Sequence, residues 1–345
     1  MSKTMKPLLL TMGDASGIGP EIIVKAFAQG AAPGCVVVGD VAVMRRATAL
    51  WPDQTLPVAW IDDMAEVGNV PAGSLPVWQP AGLQQEPQQG LATLPWGRID
   101  ARNGAAAALC IEHATAWVQR GQAAGIVTAP IHKEALSAAG VNFPGHTEML
   151  QALAARAGAL PPVRMMLAND ELRVVLVTIH MALRDAIAAV SFDAVLQTLR
   201  ITHTAMLAFG LNTPRIGVAG LNPHAGEGGL FGSEEQLIIG PAVQAARAEG
   251  IHASGPFAPD TVFMRARHVP GHPGEFDAVV AMTHDHGLIP VKYLGVEQGV
   301  NVTLGLPFVR TSPDHGTAFD IAGQGVADAS SLIAAIRMAR RLGAC

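Results

Sequence analysis

Charge, lysine and cysteine are all scarce in this chain of 345 residues. Only 15% of the residues are charged, five are lysines, and the formal net charge is −5. No cluster of Lys and Arg with interleaved aromatics occurs, which argues against nucleic acid or an anionic membrane as partner and points to a small-molecule target. Cys35, Cys110 and Cys345 are odd in number and lack CxxC or CxxH spacing. That excludes a disulfide framework and a thiolate metal site, and it fits a reducing cytoplasm. Half the residues are hydrophobic, yet Gly, Pro or charge breaks every apolar run before the ~18–20 residues that span a bilayer. In MSKTMKPLLLTMGD two lysines precede an apolar stretch that is too short for a signal-peptide core, ends in an acidic turn and lacks a small-residue cleavage site, so it reads as a first strand. Internal repeats and long low-complexity tracts are missing too.

What is present alternates. Short apolar strand-like runs exchange with longer helical patterns, the signature of an α/β protein, and the length suffices for two domains with a cleft. PLLLTM and CVVVGD read as first strands, followed by helices at 20–29 and 41–50, and a helix at 105–121 precedes the strand GIVTA. Further helices fall near 192–209 and 233–248. The C-terminal ASSLIAAIRMARRL is amphipathic, with arginines in its last turns where they suit the helix dipole. Residues 66–100, rich in Pro, Gly and Gln, read as an elaborated surface connection.

Three histidines stand where β-branched-rich runs stop: His180 after VVLVTI, His224 after IGVAGLNP and His284 after DAVVAMT. Strand ends of an open α/β sheet collect on one edge, where ligands bind, so distant histidines can meet there. Three neutral imidazoles suit a divalent transition metal with an open position for substrate.

Two glycine-rich turns accompany them. GDASGIGPE at 13–21 places Pro20 at a helix start, but Gly17-x-Gly19 does not complete GxGxxG, and a dinucleotide fingerprint is absent. HAGEGGLFG at 224–232 precedes Ser233-Glu234-Glu235-Gln236, a capping-box pattern, and such a loop can set backbone N–H groups against an anion. His146 and Thr147 in PGHTE, with Lys292, Asn301 and Arg310, would offer the charged and neutral donors that a phosphate or carboxylate needs.

Taken in order, these segments resemble the 4-hydroxythreonine-4-phosphate dehydrogenase family over most of the chain. The resemblance rests on GIGPE (17–21), TAPIHKEAL (128–136), PGHTE (144–148), GLNPHAGEGG (220–229), APDTVF (258–263), THDHGLIPVKYLG (283–295) and GVNVTLGLPFVRTSPDHGTAFDIAG (299–323). It implies two α/β/α domains similar to isocitrate and isopropylmalate dehydrogenases, expected over 1–130 with 300–345 and over 131–299. It also implies a homodimer whose active site lies in the interdomain cleft at the dimer interface. His180, His224 and His284 are then the metal ligands, drawn from both subunits, for zinc first, with cobalt, manganese or magnesium as alternatives. Substrate falls to His146, Thr147, Lys292, Asn301 and Arg310, and Asp260 stands near the metal. HGTAFDIAGQG (315–325) is similar to the nucleotide-binding loop of those dehydrogenases, giving His315, Gly316, Thr317 and Asp320 to NAD or NADP without GxGxxG.

The implied chemistry is NAD-linked oxidation of a 3-hydroxy acid, such as 4-hydroxythreonine 4-phosphate or a related 4-phosphorylated C4 acid, followed by decarboxylation. Asp260, Lys292 and His286 are the candidates for moving protons, and Asp260 and Lys292 are the expected catalytic pair. Two features depart from the family pattern. Gly13-Asp14-Ala15-Ser16 replaces Gly-Glu-Pro-Ala, as in catabolic relatives acting on threonate or erythronate 4-phosphate or on aromatic dihydrodiols, and His286 stands where Gln is common. The alternatives are therefore a cis-dihydrodiol dehydrogenase acting on an aromatic-derived dicarboxylate such as the terephthalate dihydrodiol, a metal-dependent hydrolase or aldolase, and a non-catalytic small-molecule binder.

Overall fold

The computed structural model describes residues 6–53, 56–83 and 90–343. The chain divides into two compact units, one reaching Pro161 and resuming at Leu306, the other running Pro162–Gly305. Each is α/β, as the alternation of apolar runs predicts.

The first unit begins with β1 (Leu8–Thr11), α1 (Gly19–Ala28), β2 (Cys35–Val38), α2 (Val41–Thr48), β3 (Val58–Ile61), β4 (Leu75–Trp78), α3 (Ala101–Gln119), β5 (Gly125–Thr128), α4 (Lys133–Ala138) and α5 (His146–Leu153). β1, β2 and β5 are buried at every residue, which is why they read as unbroken apolar runs: a parallel strand covered on both faces has no polar side to show. The Asp40 carboxylate caps α2 by accepting from Val43 N–H at 2.9 Å, and Asp100 caps α3 by accepting from Arg102 N–H at 2.9 Å, so that α3 starts four residues earlier than periodicity alone suggests.

The second unit contains β6 (Arg164–Ala168), β7 (Arg173–Leu176), α6 (Leu183–Ala189), α7 (Phe192–Ala208), β8 (Ile216–Ala219), α8 (Gly240–Ala248), β9 (Ala253–Phe257), α9 (Val262–Ala266), β10 (Ala278–Ala281), α10 (His284–Tyr293) and β11 (Val300–Leu304). The chain then returns to the first unit with β12 (Val309–Pro313) and α11 (Ser330–Gly343).

In the first unit the strands lie in the order β3-β4-β2-β1-β5-β12, all parallel. The direction of winding reverses beside β1, between β2 and β5, which opens a crevice at the carboxyl ends of β1 and β5. In the second unit the order is β11-β6-β7-β10-β8-β9. There β11, β6 and β7 pair antiparallel, and β7, β10, β8 and β9 run parallel. The core of this unit includes Leu167, Val174, Leu176, Val279, Leu288 and Val291.

Three expectations need correction. The stretch 66–100 is not only a connection: β4 lies inside it and forms part of the sheet between β2 and β3. Residues 131–161 belong with the first unit rather than the second, because α4 packs along α3 so closely that a Cβ on Gly104 would sit 2.0 Å from the Ala135 carbonyl oxygen. The capping box at 233–236 does not form. Ser233 accepts through its backbone carbonyl from Gln236 and Leu237, while Glu235 opens a π-turn (Glu235–Ile239) and turns its carboxylate elsewhere. Among the described residues no helix is long and apolar enough to cross a membrane.

Candidate active site

The three strand-end histidines follow β7, β8 and β10, and these strands are neighbours in the order β7-β10-β8. His284 is the first residue of α10, just past β10. His180 follows β7, and the two rings stand 5.7 Å apart between centroids at 48°. Two imidazoles bound at 2.0–2.1 Å to one tetrahedral ion would have centroids roughly 5 Å apart, so the pair fits a shared ion. His284 Nδ1 lies 2.7 Å from Asp285 Oδ1. A carboxylate there accepts a hydrogen bond from Nδ1–H and so leaves Nε2 with its lone pair outward, the arrangement that orients metal-binding histidines.

His224 does not join them within one chain. Among the described residues no group of three or more His, Cys, Asp or Glu is placed to hold a metal. His224 lies in the turn after β8 and lines a cavity of about 600 Å³ together with Asp260, Asp285, His286 and Tyr293. Asp260 and His286, two of the three proton-moving candidates, thus share one cavity with His224. Lys292 is exposed in the last turn of α10, and Asn301 is half-buried on β11, paired in register with Leu167.

The turn that presents His224 is left-handed over five successive residues: His224 (φ 53°), Ala225 (φ 53°), Gly226 (φ 81°), Glu227 (φ 44°) and Gly228 (φ 66°). Three of these carry a Cβ, and each such residue costs about 1–2 kcal/mol in that region. The buried Glu235 carboxylate lies against the turn. Burial pushes its pKa up, but hydrogen bonds from the Asn222 side chain and from the Asn222 and Leu221 N–H groups outweigh burial and hold it below the usual glutamate value.

In the first unit the anion donors gather at the start of α5. His146 and Thr147 are its first two residues, and Arg310 on β12 is 4% exposed, donating from Nη2 to Thr128 Oγ1 at 2.7 Å. Burial lowers Arg310 to about 10, with the Glu148 charge opposing, so it remains a cation at neutral pH. Burial, and then the Arg310 charge, drives His146 well below the usual imidazole range. Its Nε2 is buried without a hydrogen-bond partner among the described residues. A buried cation beside a neutral imidazole and the first N–H groups of a helix form a receptor for an anion.

The loop at 315–320 meets the GDASGIG turn. Ile18 N–H donates to the Thr317 carbonyl at 3.0 Å, a Cβ on Gly17 would stand 3.0 Å from Thr317 Cβ, and Phe319 stacks on His132 at 4.8 Å and 11°. Thr317 is buried, His315 and Asp320 flank it, and Gly316 is exposed. Two residues here received no role from sequence reasoning: His132, and Asn103, whose Nδ2 donates to Ser16 Oγ of the GDASGIG turn at 2.8 Å. His132 lies in TAPIHKEAL, but nothing in that string announces a ring stacked under the 315–320 loop.

Asp14, in the same turn, is 1% exposed. Its Oδ1 accepts from Ser16 N–H at 2.9 Å, its Oδ2 has no partner among the described residues, and burial raises its pKa from 3.8 to about 6. Folding therefore favours the protonated acid. The stability tied to that proton is complete below pH 3.8 and is lost as pH rises through about 6, to the extent of about 3 kcal/mol. Asp14→Asn is expected to be more stable than the parent by up to that amount at pH 8, with the advantage shrinking as pH falls. Urea unfolding at pH 5 and pH 8 checks it, and a difference independent of pH would assign the effect to packing instead of charge.

Comparison with known proteins places the chain among dehydrogenases. It is 54% identical to 4-hydroxythreonine-4-phosphate dehydrogenase of Beijerinckia indica over 97% of this chain and 95% of that one. It is 43% identical to D-threonate 4-phosphate dehydrogenase of Pectobacterium atrosepticum over 98% and 99%. The crystal structure of 4-hydroxythreonine-4-phosphate dehydrogenase from Klebsiella pneumoniae superposes with a TM-score of 0.87 at 41% identity, covering 99% of each chain. More narrowly, residues 31–339 match the family model described as pyridoxal phosphate biosynthetic protein PdxA, and the chain belongs to that family.

Proposed function

We propose that the chain catalyses NAD-linked oxidation and decarboxylation of a 4-phosphorylated C4 hydroxy acid, with 4-hydroxythreonine 4-phosphate first among candidates and D-threonate 4-phosphate second. The observation that carries this reading is the buried Arg310 cation beside neutral His146 and the start of α5. A dianion with three acceptor oxygens uses several converging donors better than a single carboxylate does. Lys292 and Asn301 complete substrate binding in this reading.

His180, His224 and His284 would hold a divalent ion, with zinc first among those that suit imidazole, and such an ion supplies Lewis-acid charge that makes a hydroxyl more acidic and a carbonyl more electrophilic. His315, Gly316, Thr317 and Asp320 would hold NAD or NADP, which would supply the hydride acceptor. The chain's own groups do the rest. Arg310, His146 and Thr147 hold the phosphate and so fix the carbon skeleton. Asp260 or Lys292, with His286 as a further candidate, takes the hydroxyl proton as hydride leaves the same carbon. After carbon dioxide departs from the β-keto acid, the same group returns a proton to the α-carbon.

We also propose a homodimer in which His224 of one copy joins the His180–His284 pair of another. Large exposed apolar side chains flank all three histidines: Met181 beside His180, Leu230 and Phe231 after His224, and Ile289 and Tyr293 on α10. Such a concentration marks an interaction surface. An active monomer in sedimentation at assay concentration would refute this. The buried free thiols of Cys35 and Cys110 support a reducing, cytoplasmic setting.

The reading as a whole is checked by following NADH absorbance with 4-hydroxythreonine 4-phosphate, threonate 4-phosphate and a dihydroxy-cyclohexadiene dicarboxylate. Turnover of at least one phosphate ester is expected. Oxidation of the cyclic diol alone would replace the substrate assignment and favour the dihydrodiol reading.

A further inference from the structure

We propose that Glu235 is the positioning residue for His224: its carboxylate clamps the backbone at 221–222 and holds the left-handed turn from which the imidazole projects. The inference rests on the reading of His224 as a metal ligand.

A run of five left-handed residues is not what this sequence prefers by itself, since His224, Ala225 and Glu227 carry side chains. The turn is bonded along its own backbone in the 3-10 manner over Pro223–Gly229, and at its ends Ala225 N–H donates to Asn222 O at 3.1 Å, Leu230 N–H to Glu227 O at 3.3 Å and Phe231 N–H to Gly226 O at 3.2 Å; such bonds do not remove the steric cost of the left-handed hand. A second set of contacts comes from outside the turn. Glu235 Oε1 accepts from both Leu221 N–H and Asn222 N–H at 2.7 Å, and Oε2 accepts from Asn222 Nδ2 at 3.0 Å. Asn222 Nδ2 also donates to Glu234 Oε2 at 2.8 Å, so one amide bridges two carboxylates.

The glycines show how tightly the carboxylate is fitted. A Cβ on Gly220 would come 3.0 Å from Glu235 Oε1, and one on Gly226 would come 2.8 Å from Oε2. The carboxylate therefore touches the chain both before and within the turn. Glu235 is 4% exposed and opens the π-turn Glu235–Ile239, and π-turns recur where function sets the backbone. Strain of this kind persists only where the surroundings over-determine it. Glu235→Gln keeps the shape but sets its amide against the Asn222 amide, two donors facing each other, so the clamp loses one bond and its charge.

The test measures zinc affinity of the full-length protein by competition with a chelating dye, alongside thermal unfolding. Glu235→Gln is expected to bind zinc about 10- to 100-fold more weakly, the range for partners that orient metal ligands. Adding Ala225→Gly and Glu227→Gly to Glu235→Gln is expected to restore most of the affinity, because glycine adopts the left-handed backbone without penalty. A Glu235→Gln protein that melts earlier but binds zinc like the parent, while His224→Ala does not, would reduce Glu235 to a structural role and overturn the proposal. Unchanged zinc affinity in His224→Ala would instead remove the ligand reading on which the proposal stands. Should Glu235→Gln not fold, Asn222→Ala carries the same test: weaker zinc binding in a folded protein supports the clamp, and parental affinity overturns it.

Discussion

Replacing His284 with alanine is expected to lower kcat/KM by at least about 10³-fold, the equivalent of about 4 kcal/mol, and to reduce bound zinc in parallel. His284 begins α10 immediately past β10 and pairs with His180 at 5.7 Å, so its loss removes one of the three proposed ligands and breaks the pair that one copy supplies. A milder change separates ligation from packing. Asp285→Asn keeps the shape of the group 2.7 Å from His284 Nδ1 but removes its charge, and a loss of metal affinity of about 10- to 100-fold is expected. Metal analysis together with kinetics decides. A His284→Ala enzyme that retains full metal and activity would take His284 out of the site.

Arg310→Ala is expected to cut kcat/KM for the phosphorylated substrate by roughly 30- to 1000-fold, corresponding to about 2–4 kcal/mol of transition-state binding. The argument rests on burial. A guanidinium that is 4% exposed and lowered to about 10 has already given up its water, so a matching dianion meets it without further desolvation. The loss should be specific to the phosphate: on a dephosphorylated analogue, variant and parent should differ little. Arg310→Lys is expected to fall between, since it keeps charge but not the planar fork. Equal losses on both substrates would make Arg310 a structural cation serving Thr128 and Glu148.

Much of this was legible in the sequence, for identifiable reasons. The strand-end histidines stood out because parallel strands buried on both faces read as continuous apolar runs that stop abruptly, and β7, β10 and β8 proved to be neighbours. The donors His146, Thr147 and Arg310 likewise converge within one unit. What sequence reasoning missed depends on tertiary context. β4 contains Pro76 and lies among Pro, Gly and Gln residues, so its strand character comes from pairing with β2 and β3 rather than from its own pattern. HAGEGG reads as a glycine-rich loop that can present backbone N–H groups, but nothing in it shows that His224, Ala225 and Glu227 adopt positive φ, because the compensating carboxylate arrives from Glu235. Short helices such as α4 and α5 carry too little periodicity to show that they pack with α3.

The most direct test of the central claim is a single assay that follows NADH and carbon dioxide together while the parent enzyme turns over 4-hydroxythreonine 4-phosphate or threonate 4-phosphate with zinc present. One carbon dioxide released per NADH formed is the expected result, since hydride loss creates the β-keto acid whose carboxylate then departs. Cleavage or hydrolysis of the substrate without NADH would contradict the account and place the histidines in a metal-dependent hydrolase or aldolase.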